Sequence, residues 1–313
     1  MTSPLLEIDD LGVNFPNGRE TAVALEDVSL TLARGETLAV VGESGSGKTS
    51  LALSLMGLLP ATARCRGRAL WRGKDLLAME ERRLRKVRGV EIGIVFQDAR
   101  SALNPFLRIS TQMTELLRRR LGHGKREAED RAIAMLEKAG IAGARERIRD
   151  YPAEFSGGMR QRALLAMALC ANPLLLIADE VTSAVDETTQ IQIVDLLREW
   201  QAESGGAILL ITHDLGVAAR LAHRVLVLHG GRVMEAAAAD SLFQRAECAY
   251  SRVLLRAATG AFESMRGFQG SRQGNAVGCT FAGKCPDAAA ECFEQTPPLS
   301  RIGETHWVRC WNR

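Results

Sequence analysis

The 313-residue chain lacks an uninterrupted apolar run of the roughly 18 residues that a membrane helix needs; its longest apolar stretch, Ala163 to Ala178, is broken by Asn172 and Pro173. The chain is therefore not expected to span a membrane. It has little excess charge, 40 Lys and Arg against 37 Asp and Glu, a formal +3 that disfavours a dedicated nucleic-acid binder. Met1 to Asp10 carries Glu7, Asp9 and Asp10 and no basic stretch ahead of an apolar one, so no secretory leader is expected and the cytosol is the default compartment. An internal repeat is also missing. What is present, 46% apolar and 25% charged residues, excludes a disordered or fibrous chain and supplies a sizeable core.

Residues 5 to 32 alternate apolar and polar positions around a Pro16-Asn17-Gly18 turn and read as two strands. Thr37 to Val41 is a buried-strand run that enters a Gly-rich loop and a helix-compatible stretch, Lys48 to Leu58. From Ala99 to about Ile148 apolar residues recur at helical spacing, interrupted by Gly122 and Gly124, which predicts a helical insertion at about 99–158. Leu174 to Ile177 and Ile208 to Thr212, each preceded by a helix candidate, give a βαβ rhythm. Gly260 to Gly278, rich in Gly, Ser, Gln and Arg, reads as a linker to a cysteine-bearing tail. The predicted organisation is thus a 1–259 domain followed by a 260–313 extension.

The run Gly42-Glu43-Ser44-Gly45-Ser46-Gly47-Lys48-Thr49 fits G-x-x-x-x-G-K-[ST] between a strand and a helix, the context of a phosphate-binding P-loop. Glycines let backbone N–H groups converge on phosphate oxygens, Lys48 neutralises the β and γ phosphates, and Thr49 ligates Mg²⁺. Gly42, Ser44, Gly45, Ser46, Gly47, Lys48, Thr49 and Ser50 are the expected contacts to ATP. Leu174 to Glu180 is an apolar strand ending in two acids, of which Asp179 suits the Mg²⁺ shell and Glu180 suits activation of the attacking water. Ser156, Gly157 and Gly158 open another helix and make a second anion grip, which suggests service to the nucleotide of a partner subunit.

These residues resemble the ATP-binding subunit of ATP-binding-cassette transporters, a resemblance covering roughly residues 5 to 250. It implies an α/β P-loop NTPase core of the RecA-like kind, with N-terminal antiparallel strands, a helical subdomain and a small Cys-rich C-terminal extension. Phe155 and Met159 replace the ends of the usual Leu-Ser-Gly-Gly-Gln signature and leave its centre intact. The resemblance further implies that Gln97 is the Mg²⁺ and water sensor of the Q-loop, that Asp186 of the D-loop lies near a dimer seam, that His213 is the switch histidine at the γ phosphate, and that Phe15 stacks on adenine. Val181 stands where most members carry Pro, with both acids still in register.

Gln97 to Pro105 resembles the Q-D-P-x-x-S-L-N-P run of the dipeptide, oligopeptide and nickel uptake branch, and the tail resembles that branch's C-terminal extension. The implied function is ATP-driven uptake of di- or oligopeptides at the cytoplasmic face of the membrane. The implied partners are a second related ATP-binding subunit, two permease subunits and a substrate-binding protein, with no nucleic acid. Nickel, an opine or a metal chelate is the alternative cargo, and a soluble non-transport ATPase the rival reading. Cys279, Cys285, Cys292 and Cys310 have the spacing C-x5-C-x6-C-x17-C, without a tight C-x2–4-C pair. Four thiolates so spaced suit a [4Fe–4S] cluster, with tetrahedral zinc or free or disulfide-paired thiols as the other readings. Cys65, Cys170 and Cys248, scattered along the sequence, are expected to be structural.

Overall fold

Apolar residues at Leu6, Ile8, Leu11 and Val13 face Leu25, Val28, Leu30 and Leu32, and in the computed structural model these form strands β1 (Leu6–Asn17) and β2 (Glu20–Leu32), paired antiparallel. The structure describes residues 3–18, 20–96, 102–183, 185–258 and 277–312. Along the chain follow β3 (Thr37–Val41), α1 (Lys48–Leu55), β4 (Arg64–Trp71), β5 (Lys74–Asp75), α2 (Glu81–Val87), β6 (Ile92–Val95), α3 (Ile109–Arg120), α4 (Lys125–Lys138), α5 (Ala144–Arg147) and α6 (Gly157–Cys170). Then come β7 (Leu175–Asp179), α7 (Glu187–Ser204), β8 (Ala207–Thr212), α8 (Leu215–Leu221), β9 (Arg224–His229), β10 (Arg232–Ala238), α9 (Ala239–Gln244), α10 (Ala249–Ala258), α11 (Ala290–Glu294), β11 (Ser300–Arg301) and β12 (Trp307–Val308). The chain divides into two units, Met1–Ala33, Thr37–Met79 and Ile211–Arg313 in the first, Arg34–Glu36 and Glu80–Leu210 in the second.

In the first unit the order β2-β1-β4-β5 makes an antiparallel sheet, whose inner face buries Leu6, Leu11, Val13, Leu25 and Trp71. Each such Leu contributes on the order of 2 kcal/mol of apolar burial. A second run of strands, β11-β12-β10-β9-β3, carries β3 parallel to β9 from Leu38↔Arg224 to Val41↔Val227. β3 is buried at every position, as expected of a parallel strand covered on both faces. The C-terminal segment returns to this sheet, where β12 pairs with β10 at Glu235↔Val308 and Ala236↔Trp307. Arg309 fixes that return: it is buried, and its guanidinium donates to Val233 O and Pro297 O.

In the second unit β6 runs parallel to β7 from Ile92↔Leu175 to Val95↔Ala178. Helix α3 buries Ile109, Met113 and Leu117, and α4 buries Ala128, Ala132, Ile133 and Leu136, the helical periodicity read from the sequence. Gly122 separates the two helices with φ +74°, a conformation that costs Gly nothing. α7 turns Ile193, Val194, Leu197 and Trp200 inward. No helix among the described residues is long and apolar enough to cross a membrane.

Candidate active site

In the first unit, buried β3 delivers the chain to Gly42, and the loop that follows is fitted closely against its neighbours. A Cβ on Gly42 would lie 2.1 Å from Leu228 O, and one on Gly47, at φ +106°, would lie 2.3 Å from Ala24 O. Any side chain at either position would lift the loop off β9 or β2. Lys48 opens α1 with its side chain buried, and its ammonium donates to Gly42 O and Glu43 O at 2.8 Å each. Gly47 has no side chain to cap α1, and no acid stands in the first turn, so the helix N-terminus keeps its partial positive charge for an anion. Ser46 Oγ is buried and has no hydrogen-bond partner among the described residues, which leaves a polar atom in the loop open to a ligand. Thr49, Ser44 and Gly45 are exposed, and Ser50 is half-exposed.

Phe15 lies half-buried on β1 opposite Ala22, two residues along β2 from the Ala24 carbonyl that backs Gly47. The same sheet thus brings the expected adenine platform to the side of the phosphate loop. His213 is exposed at the end of β8, between buried Thr212 and Asp214, whose carboxylate caps α8 through Val217 N at 3.1 Å.

In the second unit, β7 carries Asp179 at its end, with 1% exposure. Glu180 follows at φ +52°, a backbone conformation uncommon for a long side chain and found where the surroundings fix it. Its carbonyl accepts from Ser183 Oγ at 2.9 Å and Ser183 N at 3.1 Å, closing the turn after the two acids. Val181, in the position of the usual Pro, is buried and packs as a core residue. Ser156 caps α6 by accepting from Met159 N at 3.3 Å. Phe155 is buried beneath it, so the substitution at the start of the signature is a packing position.

Gly157 is open, whereas a Cβ on Gly158 would meet Thr189 Oγ1 at 3.0 Å. Thr189 is held in turn by Asp186, which accepts from its backbone N at 2.9 Å and from its hydroxyl at 2.8 Å. These bonds keep the Asp186 carboxyl below the usual carboxylate range. The structure therefore joins signature and D-loop through one threonine that the sequence did not single out. It also shows Gln161, 4% exposed in α6, with an Nε2 that has no hydrogen-bond partner among the described residues. Gln97, the residues 98–101 after it and Ala184 of the D-loop lie outside the described residues. So does most of the expected linker, 259–276.

Cys279, Cys285, Cys292 and Cys310 come within electrostatic reach of one another, Cys279 sensing Cys292 and Cys310, and Cys285 sensing Cys310 and Cys279. A fifth thiol joins them. Cys248, expected to be structural, lies beside Cys310, whose own Sγ donates to Asn312 O at 3.0 Å, and the pairing with Cys310 together with burial pushes the Cys248 thiol up. Cys170 is buried as expected, but Cys65 is exposed on β4. Against the expectation of a cluster or metal site, no group of three or more His, Cys, Asp or Glu among the described residues is arranged to hold a metal ion. The backbone bond Cys279 N to Cys292 O, 2.7 Å, anchors the segment without converging the sulfurs.

Residues 25–183 match the family described as ABC transporter. The chain belongs to that family. Its ABC transporter relatives include the oligopeptide transport ATP-binding protein OppD of Salmonella typhimurium, 43% identical over 98% of this chain and 93% of that protein. OppD of Bacillus subtilis is 40% identical over 98% of this chain and 88% of its own length. A putative peptide import ATP-binding protein of Brucella abortus is 40% identical, covering 98% and 96%. Among solved structures, the dimeric ABC transporter cassette MJ0796 superposes with a TM-score of 0.68 at 28% identity over 75% of this chain and 98% of that one.

Proposed function

We propose that this chain is the ATPase of an ABC importer and couples ATP hydrolysis to uptake of di- or oligopeptides. The carrying observation is the phosphate loop: buried Lys48 folded within it, two glycines without room for a side chain, and the orphaned Ser46 hydroxyl. The peptide cargo rests on relatives named for peptide import that match over 98% of the chain.

In this reading Gly42 to Ser50 grip the phosphates and Phe15 stacks on the base. Glu180 orients and deprotonates the attacking water, and His213 holds the γ phosphate. Thr49, Asp179 and Gln97 offer the hard oxygen donors that would hold Mg²⁺, which when bound would neutralise charge developing on the phosphates. Ser156, Gly157, Gly158 and Asp186 face the nucleotide of a second, related subunit. Two permease subunits and a substrate-binding protein complete the assembly, which holds the chain at the cytoplasmic face of the membrane. The ATP-binding domain is taken as 1–259, with its helical subdomain at about 99–158 and the extension at 260–313.

The proposal also includes a [4Fe–4S] cluster on Cys279, Cys285, Cys292 and Cys310. The donor chemistry suits it, but the sulfurs do not stand at ligand spacing, and ATP hydrolysis does not run through it. Anaerobically purified protein is expected to contain iron and acid-labile sulfide, both lost in Cys285→Ser, and protein without either would remove the cluster.

The test of the ATPase is Glu180→Gln in the assembled transporter. ATP binding is retained and turnover falls by about 100-fold or more, the usual contribution of a general base. Turnover at the wild-type rate would remove Glu180 from that role.

A further inference from the structure

Behind the phosphate loop lies a residue that the ATPase mechanism does not use. Tyr250, on α10, is completely buried, and its hydroxyl accepts a hydrogen bond from Glu43 N at 3.2 Å. Burial pushes the phenol up, so the hydroxyl stays neutral at working pH. Glu43 is the residue after Gly42, and its carbonyl accepts from both Lys48 Nζ, at 2.8 Å, and Ser46 N, at 3.2 Å. One peptide unit of the loop is thus pinned from the rear by Tyr250 while its next carbonyl holds the lysine that meets the phosphates.

The Tyr250 ring is in turn packed by the C-terminal segment. Phe281 lies 5.0 Å from it, centroid to centroid, and His229 lies 4.5 Å from Tyr250 and 5.5 Å from Phe281. Phe281 is buried between Cys279 and Cys285, so its position follows the fold of the thiol-bearing tail. Thr280 adds a parallel route. Its Oγ1 lies 2.9 Å from His229 Nδ1, and its side chain sits beside Gly230, where a Cβ would approach to 3.1 Å. The next residue, Gly231, donates to Ser46 O at 3.0 Å. Two adjacent tail residues therefore support two separate points of the phosphate loop.

We propose that Tyr250 is a positioning residue of the phosphate loop, and that the tail residues Thr280 and Phe281 set the affinity for nucleoside triphosphate through the loop's rear face. The proposal rests on reading Gly42 to Thr49 as the nucleotide site. It adds that the tail is a determinant of that site and acts without touching the nucleotide.

The experiment is titration of the full-length chain with N-methylanthraniloyl-ATP and Mg²⁺, for wild type, Tyr250→Phe, Phe281→Leu and the double variant, with Lys48→Ala as reference. Tyr250→Phe keeps the ring in its aromatic cluster and removes only the acceptor for Glu43 N. It is expected to weaken binding about fivefold, the worth of one hydrogen bond. In the transporter its KM for ATP should rise by a similar factor with kcat within about twofold. Phe281→Leu should weaken binding about threefold, and the double variant should be no weaker than the worse single, because both act through one contact.

Affinity equal to wild type in Tyr250→Phe, with only the thermal midpoint lowered, would show a purely structural role and overturn the proposal. Additive losses in the double variant would overturn the route from Phe281 through Tyr250. If the wild-type chain binds no more analogue than Lys48→Ala, it is the nucleotide-site reading that fails. Should Tyr250→Phe not fold, Thr280→Val decides: weakened binding supports the tail's control of the loop, and unchanged binding overturns it.

Discussion

Two cysteines far apart in sequence illustrate how a neighbour resets a side chain's chemistry. The Cys248 thiol lies beside Cys310, and the pair divides the burden of ionisation: Cys310 is held below the ordinary thiol range while Cys248 is driven up. Folding thus favours the deprotonated form at Cys310, whereas burial pushes the Cys279 thiol up. Iodoacetamide labelling of the metal-free protein, mapped by peptide, should therefore rise at Cys310 at lower pH than at Cys279. A label that appears only above about pH 8 would show that the pair is not coupled. Glu180 makes a second point at this scale. Its +52° φ was invisible in a sequence where it looked like the last residue of a strand, yet it sets the direction of the chain after both acids.

Helix α10 shows what holds an element that sequence patterning left unassigned. Glu235 on β10 has no exposure, and its carboxylate accepts from Glu247 N at 2.8 Å, from Cys248 N at 3.0 Å and from His306 Nε2 at 2.7 Å. One buried carboxylate thereby caps the entry to α10 and ties in the strand that carries Trp307. Glu235→Ala strands two backbone donors and a histidine, at a cost of about 3 kcal/mol, and should lower the denaturant midpoint clearly. A midpoint within error of wild type would refute that accounting. The contrast with β3, α6 and β7 is instructive. Those elements are apolar runs with a cap or a glycine at one end, and local pattern alone located β3 and β7 to within two residues. α9 and α10 are short, and their stability comes from partners more than ten residues away, so periodicity did not find them. β4, with most of its residues exposed, offered no apolar alternation at all. The phosphate loop and both acids were legible because their chemistry is local; Tyr250 was not, because its partner Glu43 is 207 residues earlier.

At the scale of the whole molecule, the residues expected to contact nucleotide, this chain's own or a partner's, are found in both units. The phosphate loop, Phe15 and His213 belong to the first, and Asp179, Glu180, Ser156 and Asp186 to the second. The tail belongs with the loop. Segment 277–312 is bound to the first unit by β12 on β10, by Arg309 on Val233 O and by the Arg252–Asp287 ion pair at 2.9 Å. In sequence this segment reads as an appendage behind a linker, since strand pairing over two residues and a lone buried arginine leave no periodic trace. β12 also occupies the outer side of β10, whose inner side is taken by β9. A chain cut before residue 277 would expose the hydrogen-bonding groups of β10 as a free sheet edge, which in solution recruits the matching edge of another copy. Light scattering of such a truncated protein should report self-association that grows with concentration, whereas a monodisperse species would show the edge to be harmless. The last strands of this chain would then count, besides their other contacts, as a guard against polymerisation.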